Sequence, residues 1–147
     1  MSPERRAGYS SPVVPWEAKS LDTARTLRLV MIVNDDAAMR DAMQFALHLE
    51  DAVVRLHESG AGLLADPALP ACACLVLKFH MPEMDGLEIL CRVRAMGLTM
   101  PAILLTNNAS PALREKAAAA GVWLVLEKPI MDGALVNAVA ARLREIT

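Results

Sequence analysis

From Leu27 onward, short apolar runs alternate with segments in which apolar residues recur every three or four positions. The runs read as strands: LRLVMIV (27–33), AVVRL (52–56), CACLVLK (72–78), PAILLT (101–106) and VWLVLE (122–127). Three of them are almost wholly apolar, as expected of parallel strands covered by helices on both faces. Between the runs the pattern predicts helices over 37–49, 60–65, 87–96, 111–120 and 133–145. In the first, Met39, Ala42, Met43, Ala46 and Leu47 share a face; in the last, Leu135, Val136, Val139 and Leu143 do. Ser110 before Pro111 is a good helix start, and Gly121 stands where a left-handed stop is usual. Strand and helix in strict alternation imply crossover connections, hence an α/β chain built on a doubly wound, five-stranded parallel sheet.

The 147 residues, 54% of them hydrophobic, can bury one substantial core, so residues 27–147 are expected to form a single domain. Residues 1–26 carry Pro3, Pro12 and Pro15 among Ser, Gly and charges, and read as a disordered or loosely docked extension in which Tyr9 and Trp16 are the candidate anchors. A formal charge of −2 with both signs interspersed leaves no basic stripe for nucleic acid. No run approaches the roughly 18 to 20 apolar residues of a membrane span, and no apolar signal region opens the chain, so a cytoplasmic protein is expected. Cys72, Cys74 and Cys91 are odd in number and lack CxxC spacing, which argues against disulfides or zinc; Cys72 and Cys74 are expected on one buried face of the third strand.

Ligands of such sheets gather at the carboxyl ends of the strands. Those ends carry Asn34, Asp35 and Asp36, then Lys78, then Thr106 and Asn107, then Glu127, Lys128 and Pro129. With MPEMDGLEIL after the third strand and LEKPI closing the fifth, this set resembles the receiver domain of two-component response regulators over about residues 28–145, nearest to its FixJ-type branch. The resemblance implies a flavodoxin-like fold. It also implies an acidic pair at Asp35 and Asp36, a phosphate-sensing Thr at Thr106, an acceptor-pairing Lys at Lys128 and a cis bond before Pro129. The phosphoacceptor position falls on Lys78, and the aromatic switch position on Val125. Were a metal to bind, Asp35, Asp36 and the His80 backbone would hold it.

Two carboxylates facing two ammonium groups sum to zero, so the expectation is an internal ion pairing of Asp35 and Asp36 with Lys78 and Lys128, with magnesium binding weak or absent and no cofactor. Opposite charges about 4 Å apart gain roughly 4 kcal/mol at an effective dielectric near 20, before desolvation is subtracted. Lys78 offers a protonated amine where phosphoryl transfer needs an oxygen nucleophile. The expected function is therefore that of a pseudo-receiver in phosphorelay signalling. It would not be an enzyme, and it would bind a histidine kinase, a phosphotransfer protein or another regulator without Asp phosphorylation. Phe45 on the first helix, half-buried at the edge of its apolar face, is the candidate contact. A homodimer through the fourth helix, fifth strand and fifth helix would use Arg114, Glu115, Lys116, Asn137, Arg142 and Arg144. Two alternatives stay open: a small phosphohydrolase-like enzyme using Asp35, which lacks a second acid at Ala37, and a receiver-like sensor switched by a small ligand.

Overall fold

The computed structural model describes residues 28–48, 52–128 and 133–146, with side chains through Arg144. The N-terminal extension with Tyr9 and Trp16, and the bond before Pro129, lie outside the described residues. Five strands, β1 (Leu29–Val33), β2 (Val53–His57), β3 (Cys74–Lys78), β4 (Ala102–Thr106) and β5 (Leu124–Glu127), pair in parallel in the order β2-β1-β3-β4-β5. They alternate with helices α1 (Ala37–His48), α2 (Gly60–Leu64), α3 (Gly86–Ala95), α4 (Pro111–Ala119) and α5 (Ala134–Ile146). The doubly wound parallel sheet is thus the observed architecture, and strand order reverses between β1 and β3.

Side chains alternate across the strands, so each strand feeds both layers. Leu29, Met31, Val33, Leu75, Leu77 and Leu104 pack with Leu63, Ile89, Leu90, Val93 and Leu113 beneath α2, α3 and α4. Val30, Ile32, Val76, Ile103 and Leu105 pack with Met43, Leu47, Leu135, Val139 and Leu143 of α1 and α5. The sheet's centre is fully buried on both faces, which is why β1, β3 and β4 read as continuous apolar runs. Edge strand β2 is half-buried and exposes Arg55.

Two expectations change. A 3-10 turn over Leu69–Ala71 ends on Cys72, whose N–H donates to the Leu69 carbonyl at 3.0 Å, so β3 begins at Cys74. Cys72 then packs in the layer of Leu75 while Cys74 packs with Val76; both thiols are buried, but on opposite sides of the sheet. Burial, opposed by backbone hydrogen bonding at Cys72, pushes both thiols up to about 12, so neither is poised as a nucleophile. Phe45 is 70% exposed, not half-buried. It steps roughly 200° around α1 from each of Met43 and Leu47, which places it away from the face they bury.

The helix starts fix the loops around the strand ends. The Asp85 carboxylate accepts the Glu88 N–H at 2.8 Å and opens α3; Ser110 does the same for Leu113 at 3.1 Å and opens α4. Gly86 begins α3 against the end of β3, where a β-carbon would lie 2.7 Å from the Lys78 carbonyl oxygen and 2.7 Å from Leu104. Only a residue without a side chain permits that approach.

Candidate functional site

Asn34 leaves β1 fully buried, held at three points, two on its backbone and one on its side chain. Its N–H donates to the His57 carbonyl at 3.0 Å, its carbonyl accepts Arg40 Nη1 at 2.6 Å, and its side-chain oxygen accepts the Asp36 N–H at 2.9 Å. This clamp determines where the next two carboxylates go, and it divides them. Asp35 meets the end of β3: Lys78 Nζ donates to its Oδ1 at 2.7 Å, with the side chains 35% and 20% exposed. Asp36 turns to α1, where its Oδ1 accepts the Met39 N–H at 3.2 Å as a helix cap. The hydrogen bond from Lys78 holds the Asp35 carboxyl below the usual range, against burial that pulls the other way.

Lys128 is tied to the sheet by its backbone N–H, which donates to the Thr106 carbonyl at 2.7 Å. Burial depresses its ammonium, as does the nearby charge of Lys78; Asp36 and Asp35 act in the opposite sense through space. Among the described residues it is Lys78, not Lys128, that closes an ion pair with the acids. Thr106, buried at the end of β4, accepts the Asn108 N–H at 3.2 Å and donates to the Asn108 carbonyl at 3.3 Å, so its hydroxyl serves its own loop. Val125 is half-buried, packs against the core layer under α4, and stands beside Leu104 in the β4–β5 register. His80 is exposed, its ring edge-on to Phe79 with centroids 4.6 Å apart. Asp35, Lys78, Thr106 and Lys128 thus share one end of the sheet, whereas Asp36 and Val125 serve the neighbouring helices.

A second charged cluster was not anticipated. At the outer edge, Asp66 accepts Arg55 Nε and Nη2 at 2.8 and 2.9 Å, the Ala68 N–H at 2.9 Å, and contacts His57 Nε2 at 2.8 Å, with its side chain 1% exposed. Burial alone would raise this carboxyl; the bonds from Arg55, Ala68 and His57 outweigh it and lower it from 3.8 to about 2. Arg55 and His57, two residues apart on β2, were the available signal: basic groups repeating on one face of an otherwise apolar strand.

The family model for the response regulator receiver domain matches residues 30–140. The chain is 34% identical over 110 residues to the C4-dicarboxylate transport transcriptional regulatory protein DctR of Rhodobacter capsulatus, covering 74% of this chain and 56% of that protein. It is 35% identical over 115 residues to the transcriptional regulatory protein FixJ of Azorhizobium caulinodans, covering 78% and 54%. The chain therefore spans about half the length of these curated relatives, and the FixJ-type likeness read from its residues stands. Among solved structures, a CheY-like receiver domain protein from Methanospirillum hungatei superposes with a TM-score of 0.71 at 22% identity, covering 81% of this chain and 95% of that one. The receiver domain of a LuxO-type repressor from Vibrio parahaemolyticus does so with 0.74 at 21% identity, covering 81% and 92%. At these identities the superpositions speak for the fold. Among the described residues, no helix is long and apolar enough to cross a membrane.

Proposed function

This chain belongs to the response regulator receiver domain family, and from that premise we propose that it is a pseudo-receiver: a cytoplasmic interaction module of phosphorelay signalling that works without Asp phosphorylation. The observation that carries the reading is the 2.7 Å bond between Lys78 and Asp35. Lys78 ends β3, where the family resemblance puts the phosphoacceptor, and it brings a cation to a position that calls for a carboxylate oxygen.

The donor set does not fit magnesium. Asp35 is engaged by an ammonium and Asp36 caps α1, which leaves only the His80 backbone of the three expected donors. Magnesium demands oxygen ligands in near-octahedral arrangement, and a resident ammonium repels it. Asp35 is also poorly placed to act as the nucleophile of a phosphohydrolase, since its Oδ1 is held by Lys78 and Ala37 stands where a second acid would be needed. Partner recognition then falls to the surface. Phe45, exposed on α1, is the contact offered to a histidine kinase, a phosphotransfer protein or another regulator. Self-association through α4, β5 and α5 is the second surface, where Arg142 lies over the ring of the exposed Trp123 at 4.7 Å.

Amide spectra recorded with magnesium, and then with beryllofluoride, test the reading. No change is expected at Asp35, Thr106 or Lys128. Saturable shifts clustered at those three residues overturn it.

A further inference from the structure

Beside the strand ends, a cleft of about 280 Å³ opens between the loop after β3 and the first two turns of α4. Its apolar surface is the half-buried Phe79 ring and the buried Leu113. Its polar surface comes from exposed side chains that can donate. His80 presents an imidazole, Asn108 an amide and Lys116 an ammonium that forms no ion pair among the described residues. Ser110 spends its oxygen on the Leu113 N–H, and Pro111 has no N–H to give, which leaves the Ala112 N–H open at the wall. Among the described residues, no carboxylate lines the cleft.

The exposed Lys116 ammonium adds attraction for an anion and repels a cation. An apolar body on that anion would cover the exposed part of the Phe79 ring, Leu113 being buried already. From this lining we infer that the cleft binds a small organic anion, a carboxylate carried on an apolar ring or short chain. The volume sits at the bottom of the range for small-molecule sites, which limits the ligand to fragment size. Occupancy would also act on the rest of the site. The loop that supplies Asn108 is the one Thr106 grips at both the Asn108 N–H and carbonyl, and His80 follows Lys78 by two residues. This inference goes beyond the pseudo-receiver reading and does not require it, because none of the cleft residues touches the Lys78–Asp35 bond.

The test is a titration of the full chain with benzoate at constant ionic strength, without magnesium, followed by amide spectra. Saturable shifts at Phe79, His80, Asn108, Ala112 and Lys116 are expected, with a millimolar Kd. Benzamide, which keeps the ring and loses the charge, should bind about tenfold more weakly, and Lys116→Met should weaken benzoate by about tenfold, each equivalent to about 1.4 kcal/mol. The Lys78→Met variant should respond to benzoate as the parent does, which separates this test from that of the pseudo-receiver. The inference is overturned by benzamide matching benzoate, by sulfate reproducing the same shifts, by Lys116→Met binding unchanged, or by shifts that do not saturate.

Discussion

The molecule holds two acid–base clusters that differ in what they leave over. At the edge of the sheet, Asp66 is enclosed and answered four times, by both arms of Arg55, by His57 and by the Ala68 N–H. At the strand ends, Asp35 is partly exposed and receives a single bond from Lys78, while Lys128 closes no pair among the described residues. The first cluster is a staple, joining β2 to the loop that follows α2. The second balances charge with little enclosure, and such a site can change its occupant without unfolding the chain. Charge content is the same in kind at both places. Burial and the number of bonds decide which one holds the fold.

The largest effect should follow from removing the staple's centre. Asp66→Ala leaves Arg55 and His57 facing a void and the Ala68 N–H unanswered, and should cost about 3 kcal/mol in chemical denaturation. The same cluster sets the acid limb of stability. Because the Asp66 carboxyl is lowered from 3.8 to about 2, its contribution is fully present above pH 3.8 and is lost as pH falls toward 2. That loss amounts to about 2 kcal/mol and should be missing from the acid titration of Asp66→Ala. A variant as acid-sensitive as the parent would deny the staple its role.

How much of this contrast was legible beforehand depends on range. Each strand and helix carries its own apolar periodicity, so the doubly wound sheet could be read locally, and the strand ends could be collected by a rule of topology. Cys72 escaped because a 3-10 turn over Leu69–Ala71, with Pro70 inside it, delays the start of β3 to Cys74. Phe45 escaped because its neighbours at 43 and 47 bracket it in sequence but not around the helix axis. Asp35 and Asp36 look alike as letters; what separates them is the Asn34 clamp, which sends one to β3 and the other to cap α1. The Asp66 staple joins residues nine and eleven positions apart across a loop, and no periodicity records that.

A smaller effect tests what positions Lys78. If packing against α3 holds the end of β3, the ion pair is dispensable to the backbone while Gly86 is not. Gly86→Ala drives a β-carbon against the Lys78 carbonyl, which is backbone and cannot swing away. The expected cost is about 1–3 kcal/mol, with shifted amides at Lys78 and Phe79. Unchanged amides there would move the positioning role back to the Lys78 side chain.

The smallest effect belongs to the Lys78–Asp35 bond itself. Both groups keep contact with water, so Lys78→Met should change stability by less than about 1 kcal/mol, far below the effect at Asp66. The Asp35 carboxyl, freed of the hydrogen bond that lowers it, should titrate at a higher pH in a carboxyl-carbon titration. In the parent the bond's contribution is present above the ordinary carboxylate range and fades as pH falls through the lowered Asp35 value. Salt divides the two clusters further. The difference between parent and Lys78→Met should shrink as salt rises, because exposed charges are screened within about 10 Å at 0.1 M, whereas the cost of Asp66→Ala should hardly move. A Lys78 effect that persisted in high salt would mean that the strand-end cluster is as enclosed as the staple, and the contrast between them would fail.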